Sequence, residues 1–167
     1  MNLIQRIPKR WVNLLGCAIC TSLLITAIFM QEAGHEPCPL CIFQRAAFLA
    51  LGTIFLIAGL HNPAGRIGGR IYSLLIAIAG LIGAIIAGRH VWIQNLPADQ
   101  VPECGPGLDY MLEVFPFSEI LEMVFTGSGE CAEVSWTFLG LSIPGWAFVM
   151  FVGLTAVGLI WNWVTQE

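Results

Sequence analysis

Two cysteines at the start of the second apolar stretch have the spacing of a redox pair. Cys38 and Cys41 form the Cys-x-x-Cys motif Cys-Pro-Leu-Cys, and Arg45 follows four residues after the second cysteine. If a helix begins here, Cys41 lies in its first turn, where unpaired backbone N–H groups and the helix dipole favour a thiolate. Arg45 then lies one turn away on the same face and adds a positive charge. The pattern predicts thiol–disulfide chemistry, although on spacing alone a structural disulfide remains an open interpretation.

The composition is that of a membrane protein. The chain has 167 residues, of which 57% are hydrophobic and 11% are charged, whereas soluble domains carry about 25% charged residues. Four apolar runs are near the roughly 20 residues that a bilayer requires: 11–29, 42–60, 71–88 and 143–164. We therefore predict an all-α membrane protein, a four-transmembrane-helix bundle forming a single domain over residues 1–167. The net charge of -4 gives no reason to expect a nucleic acid partner.

The basic residues predict how this bundle lies in the membrane. Most of them precede the first span or lie between the second and third: Arg6, Lys9, Arg10, Arg66 and Arg70. Because loops rich in Lys and Arg stay in the cytoplasm, both termini are predicted to be cytoplasmic. The loops 30–41 and 90–142 are then on the outer, periplasmic side. Arg45 and Arg89 lie near the outer ends of their spans, against this rule, which favours a functional site there over simple snorkelling to headgroups.

Further candidate residues lie at the end of the third span and in the first span. His90 and Gln94 share a helix face near the outer surface, so we predict that they contact a polar ligand. Cys17 and Cys20 form a second Cys-x-x-Cys motif in apolar surroundings, where we expect inert packing residues. No metal-ligand spacing stands out, and we predict no metal site.

The long outer loop carries the remaining two cysteines, Cys104 and Cys131. Disulfides persist outside the cytoplasm, so we expect the bridges Cys38–Cys41 and Cys104–Cys131. The stretch 108–125 is amphipathic and predicts a short helix that either lies on the membrane or covers a small outer core. Exposed bridges are the exchangeable ones, which suggests a relay from a soluble dithiol protein to an acceptor in the membrane. Since no haem, flavin or iron–sulfur motif is present, the acceptor we expect is a quinone.

Several motifs together resemble the DsbB family of bacterial inner-membrane disulfide-forming quinone reductases. They are Cys-Pro-Leu-Cys-Ile-Phe-Gln-Arg at 38–45, Arg-His-x-Trp-x-Gln at 89–94, Pro-x-Cys at 102–104, Cys-Ala-x-Val-x-Trp at 131–136 and Leu-Gly-Leu-Ser-Ile-Pro-Gly-Trp at 139–146. The resemblance covers essentially the whole chain. It implies a four-helix membrane bundle that reoxidises a periplasmic, thioredoxin-like oxidase of the DsbA type and reduces ubiquinone or menaquinone.

The resemblance also implies roles for individual residues. Cys104 would form a mixed disulfide with the partner, and Cys131 would pass the electrons inward through Cys38. Cys41 would face the quinone, with Arg45 stabilising its charge. His90 corresponds to a family position near the quinone, whereas some relatives carry an acidic residue where this chain has Gln44.

A structural scaffold is the alternative from a different class of protein. In that interpretation the outer loops of a four-span protein are held by inert disulfides, which accounts for the composition and the cysteines but not for Arg45 and Arg89. Mild reductant distinguishes the two, because inert bridges should resist it and relay bridges should open.

Overall fold

The protein is a bundle of four long helices, as the sequence predicts. The computed structural model describes the chain over these residues: 8–34, 37–63, 65–97, 99–101, 114, 116 and 129–164. The helices are α1 Lys9–Glu32, α2 Pro39–His61, α3 Arg66–Gln94 and α4 Ile143–Val164. All four are long and apolar enough to cross a membrane. Each contains one predicted span, while the assignment of all 167 residues to one domain stays a prediction.

Proline and asparagine set the ends of α2. Pro39 occupies its first turn, where the missing N–H costs nothing, and Cys38 precedes it as the N-cap residue. At the other end Asn62 has a φ of 40° and closes the helix in the left-handed conformation. Pro63 follows and cannot continue the helix. The chain therefore presents Cys38 and Cys41 at the start of a rigid helix.

Small residues on α3 allow α4 to approach closely. Gly80 and Gly83 are buried in α3, and a Cβ atom at Gly83 would lie 2.3 Å from the ring of Phe151 on α4. The Phe151 ring is fully buried and stacks on Phe48 of α2 with 3.8 Å between ring centroids. Close approach of backbones at small residues is how helices associate in lipid, and it fixes α2, α3 and α4 as one unit.

This contact predicts a loss of stability for one glycine substitution on α3 and little loss for another. Gly83→Ala should lower the free energy of unfolding by about 1–3 kcal/mol, because the new methyl group meets a ring that cannot move aside. Gly88→Ala is the matched control, since its Cβ would lie 3.5 Å from Phe148, an ordinary contact. Denaturant unfolding in detergent micelles measures both. Equal stability of the two variants would contradict the close packing of α3 on α4.

Helices α1 and α4 are joined mainly at the end of the bundle that carries the N-terminus. The buried amides of Asn13 and Asn162 exchange two hydrogen bonds, of 3.0 Å and 2.8 Å. Over its whole length, α1 makes far less contact with α4 than with α2, and α4 makes far more with α3. The same end of the bundle carries Lys9, whose Nζ donates to the carbonyl of Pro63, and Arg70, which lies 5.3 Å from the ring of Trp163.

A short β-hairpin precedes α4, which the sequence did not predict. Strand β1 Thr137–Phe138 pairs antiparallel with β2 Leu141–Ser142. The two residues between them have positive φ values, 51° at Leu139 and 80° at Gly140, which is the backbone of a two-residue hairpin turn. Trp146 of α4 donates from Nε1 to the carbonyl of Phe138 at 3.0 Å and fixes the hairpin on the helix. The amphipathic helix predicted at 108–125 lies outside the described residues, apart from the isolated residues 114 and 116.

Candidate functional site

The two cysteines of the Cys-x-x-Cys motif lie side by side at the N-terminus of α2. The backbone N–H of Cys41 donates to the carbonyl of Cys38 at 2.9 Å, which closes the first turn. This turn places Cys38 Sγ 3.3 Å from Cys41 Sγ. Cys38 is buried, whereas Cys41 is half-buried. Both are free thiols in this structure, so the expected Cys38–Cys41 bridge is open here, with its two sulfurs adjacent.

The third cysteine reaches the pair from the outer loop. Cys131 ends the short 3-10 helix Gly129–Cys131 and is 1% exposed. Its Sγ lies within 4.8 Å of Cys38 Sγ. The hydrogen bonds between Cys38 and the sulfurs of Cys131 and Cys41, together with burial, raise the pKa of Cys38 well above its ordinary value. Cys104 lies outside the described residues, so its expected bridge to Cys131 stays a prediction.

His90 fixes the segment that carries Cys131 against α2 and α3. Its Nε2 lies 3.1 Å from the carbonyl oxygen of Cys131 and 3.7 Å from Cys38 Sγ. A carbonyl oxygen can only accept, so Nε2 carries the hydrogen and Nδ1 is the acceptor. The side-chain amide of Gln44 supplies the matching donor, because its nitrogen lies 2.9 Å from His90 Nδ1. Both side chains are buried, His90 at 2% and Gln44 at 5% exposure, and each satisfies the other.

A cavity of about 390 Å³ lies beside Cys41. Helix α1 lines one wall, including Leu23, Ala27 and Met30, and α4 lines the facing wall, including Ala147 and Met150. Helix α2 closes the back with four residues. These are Cys41, Gln44, Arg45 and Phe48. The hairpin and the start of α4 add aromatic rings, namely Trp136, Phe138 and Trp146. The cavity is therefore lined mostly by apolar and aromatic side chains and lies between α1 and α4, at the end of the bundle opposite Asn13 and Asn162.

Arg45 lies on the same side of α2 as Cys41, as predicted from the spacing. Both residues line the cavity. The guanidinium is held by α1, where its Nη1 donates to Gln31 Oε1 at 2.6 Å and its Nη2 donates to the carbonyl of Ala27 at 2.9 Å. These two bonds fix a cation in an otherwise apolar wall, and they make Arg45 a link between α1 and α2 as well.

The other predicted ligand contacts do not line the cavity. His90 faces the cysteines, as described above. Gln94 accepts from Ser142 Oγ at 2.6 Å through Oε1, and its amide nitrogen lies 3.5 Å from the carbonyl of Glu133. It therefore connects α3 to the segment between Cys131 and α4. Arg89 lies with its guanidinium 4.2 Å from the ring centroid of Trp92.

Gln44 and the aromatic residues of the hairpin are the site residues that sequence reasoning missed. Gln44 had a usable signal, because it follows Cys41 by three residues and so shares its helix face, and a buried amide in a membrane helix calls for a partner. Sequence reasoning also missed the Cys38–His90–Cys131 cluster, whose potential metal-ligand atoms all lie within 4.8 Å of one another. Its members come from three separate segments, so no local spacing indicated it.

Cys17 and Cys20 lie far from this site, in the core of the bundle. Cys20 is fully buried among the core residues, and Cys17 packs against them half-buried. Both are free thiols. They occupy the packing positions that the apolar surroundings predicted.

Comparisons with known proteins identify the family of the chain. The family model described as Disulfide bond formation protein DsbB matches residues 9–161. A protein of Hahella chejuensis named Disulfide bond formation protein B is 62% identical over 152 residues, covering 90% of this chain and 92% of its own length. Proteins of the same name from Nitrosococcus oceani and Saccharophagus degradans are 55% and 50% identical, covering 93% and 95% of this chain and 92% and 96% of their own lengths. The chain therefore belongs to the DsbB family of membrane disulfide bond formation proteins, as its motifs indicated.

Proposed function

We propose that this membrane thiol oxidoreductase reoxidises a soluble, thioredoxin-like oxidase of the DsbA type and passes the electrons to a membrane quinone, either ubiquinone or menaquinone. The overall reaction converts a protein dithiol and a quinone into a protein disulfide and a quinol, with two electrons and two protons transferred. One observation carries the proposal. Cys38 lies between Cys131 and Cys41, and Cys41 in turn lies on the wall of an apolar cavity.

The order of the sulfurs supports a path of transfer from Cys131 through Cys38 to Cys41. The partner's thiolate would attack the bridge between Cys104 and Cys131 and release Cys131 as a thiolate. Cys131 would then attack Cys38, so that a Cys131–Cys38 bond forms, the Cys38–Cys41 bond breaks and Cys41 leaves as a thiolate. Cys38 Sγ lies beside both other sulfurs, at 3.3 Å from Cys41 Sγ and within 4.8 Å of Cys131 Sγ.

The cavity fits the quinone as the second substrate. Its volume lies in the range of small-molecule sites, which are mostly apolar with a few placed polar groups. The aromatic residues Trp136, Trp146 and Phe48 offer surfaces for a flat ring. Arg45 is the charged donor in the wall, and its N–H groups would bind a carbonyl oxygen of the quinone as negative charge develops there. The quinone ring would thus lie against the sulfur of Cys41.

His90, Gln44 and Gln94 have holding roles in this proposal. The hydrogen bond from His90 to the carbonyl of Cys131 keeps that sulfur near Cys38, and Gln44 fixes the imidazole tautomer. Gln94 anchors the following segment through Ser142. Gln94 thus contacts the segment between Cys131 and α4, and its predicted contact with a ligand stays a prediction.

We place the protein in the bacterial inner membrane with both termini in the cytoplasm and the cysteine site on the periplasmic side. The distribution of charge supports this orientation. Lys9, Arg10, Arg66 and Arg70 lie near the ends of helices that are opposite the cysteine site. Because cytoplasmic loops carry the excess of Lys and Arg, the site end faces outward. The family membership argues against the scaffold alternative, whose disulfides would be inert.

Trapping the intermediate with the partner tests the entry point of the electrons. A DsbA-type oxidase that lacks its second active-site cysteine should form a mixed disulfide with the wild-type chain, visible as a combined band on non-reducing gels. Cys104→Ser should remove that band, because the attacked sulfur is gone. Cys17→Ser is the control and should retain it, since Cys17 packs in the core away from the site. A band that persists in Cys104→Ser would contradict the proposed entry point.

A further inference from the structure

The relay cysteines and His90 also have the composition and spacing of a metal site. Cys38 Sγ, Cys131 Sγ and His90 Nε2 lie within 4.8 Å of one another, and all three residues are buried. Cys38 Sγ is 3.7 Å from His90 Nε2 and 3.3 Å from Cys41 Sγ. In a tetrahedral zinc site with metal–ligand bonds of about 2.0–2.3 Å, the ligand atoms are separated by roughly 3.5–3.8 Å. Shifts of about 1 Å or less would bring the Cys38, Cys131 and His90 atoms to that geometry, and Cys41 Sγ, adjacent to Cys38 Sγ, is available for the fourth position.

We propose that the reduced protein binds one soft divalent cation, with zinc as its representative, through Cys38, Cys131, His90 and Cys41. Three thiolates and one imidazole form a ligand set that zinc adopts in structural sites. Two of the cysteines provide the Cys-x-x-Cys half of such a site from one helix turn. The other two ligands come from α3 and from the 3-10 helix, so the ion would lock the outer loop onto the bundle.

Binding depends on the redox state of the cysteines. A zinc ion displaces the protons of those ligand sulfurs that are thiols, so protons are released and no electrons are transferred. A sulfur in a disulfide has no proton to exchange and is not a thiolate ligand, which means that the oxidised protein lacks the site. The coordinated sulfurs are in turn unavailable for exchange. The ion would therefore arrest the protein in its reduced form. The site itself needs only the cysteines and His90, whereas the arrest of turnover rests on the proposed function.

Gln44 can hydrogen-bond to His90 Nδ1 both without metal and with metal bound. Without metal, Nε2 of His90 carries the hydrogen and Nδ1 accepts from the Gln44 amide nitrogen at 2.9 Å. A metal on Nε2 requires the hydrogen to be on Nδ1, where it needs an acceptor. Rotation of the Gln44 amide by half a turn presents its oxygen to Nδ1. A glutamate at this position would serve the metal-bound state only, because a carboxylate accepts and does not donate.

Cobalt is the probe for the binding experiment, because Co²⁺ occupies zinc sites and its visible absorption reports tetrahedral thiolate coordination. The full-length chain in detergent micelles is reduced with a phosphine, freed of reductant and titrated with Co²⁺, and Zn²⁺ is then added. We expect one Co²⁺ per reduced chain, no binding by the quinone-oxidised chain, and loss of the absorption when Zn²⁺ displaces the cobalt. Proton release on binding gives an independent count of the thiols.

Variants identify the ligands. His90→Ala and Cys131→Ser should each weaken Co²⁺ binding by more than ~100-fold. The loss of a residue that only hydrogen-bonds to a ligand typically costs ~10–100-fold in metal affinity. Gln44→Glu should tighten binding by about tenfold, a gain that misfolding cannot produce. His61→Ala is the control histidine, since its ring bonds to Tyr72 at the opposite end of α2. Cys17→Ser is the control cysteine, since Cys17 packs in the core of the bundle. Both controls should bind as the wild type does.

The outcomes separate this site from the proposed function. Absence of cobalt absorption in the reduced wild type, equal binding by the oxidised chain, or unchanged binding in His90→Ala would each overturn the metal site. Quinone reduction is measured in parallel with a chelator present. If quinone reduction fails while cobalt binds, the proposed function is wrong and the site stands. If quinone is reduced but cobalt does not bind, the site is wrong and the function stands.

Discussion

Cys41→Ser is expected to lower the rate of quinone reduction by about a thousandfold or more, to the background rate. Cys41 is the described sulfur on the wall of the cavity, and Cys38, its neighbour at 3.3 Å, is buried behind it. A serine hydroxyl can neither form the disulfide with Cys38 nor leave as a thiolate, so the electron pair has no exit. Losses of this size are typical when a nucleophile is removed from a group of residues that act together. The loss of quinone absorbance in the presence of a reduced DsbA-type partner measures the rate.

The same variant should retain its reaction with the partner. Cys104 and Cys131 are unchanged, so their bridge still forms and still exchanges, and the mixed disulfide can be trapped as in the wild type. This retained reaction shows that the variant is folded. Cys17→Ser provides the rate control, because Cys17 is half-buried in the core and lines no part of the cavity. Retained quinone reduction in Cys41→Ser would contradict the electron path proposed above.

Arg45→Met is expected to raise the KM for quinone by roughly 10–100-fold. The guanidinium lies in the cavity wall with Cys41, and a hydrogen bond from a charged group contributes about 1.5–3 kcal/mol. Methionine keeps much of the side chain's length and apolar stem but removes the donors. Steady-state quinone reduction at several quinone concentrations separates the effect on KM from that on kcat. The comparison with Arg45→Lys then shows whether charge alone is sufficient, since lysine cannot hold two acceptors in the same planar geometry.

Arg89→Met is the matched control for the loss of a cation at the same end of the bundle. Its guanidinium lies against Trp92 and outside the cavity lining, so the KM for quinone should stay close to that of the wild type. Arg45 also bonds to Gln31 and Ala27 of α1, so thermal unfolding is measured for all variants. Unchanged KM and kcat for quinone in Arg45→Met would show that Arg45 does not bind the quinone.

Much of the fold and part of the site follow from the sequence because they depend on local patterns. Runs of apolar residues predict the four helices, since a helix must satisfy its own backbone in lipid. The spacing of Cys41 and Arg45 places them on one helix face, and both line the cavity. Ala79, Gly83 and Ala87 recur every four residues in the sequence, which predicts a face of small side chains for close packing, and the Phe151 ring lies against Gly83. In each case the residues that determine the feature are neighbours in the chain.

The rest depends on contacts between distant segments, which spacing does not reveal. Cys131 meets Cys38 because the outer loop folds back onto α2 and α3, and the bond from His90 to the Cys131 carbonyl holds it there. Gln94 turns to Ser142 and not to the cavity for the same reason. The hairpin is missed because two strands of two residues each leave no alternating pattern to read.

Under the proposed function, the sparse contact between α1 and α4 determines how much of a quinone the protein has to recognise. The two helices are tied together by Asn13 and Asn162 at one end and stand apart around the cavity at the other. The head of a quinone can therefore enter sideways from the hydrocarbon while its isoprenoid tail stays among the lipid chains. Tail length then contributes to partitioning into the bilayer and little to recognition. Quinones that differ only in the number of isoprene units should be interchangeable substrates, and a host could change the length it makes without any change in this protein.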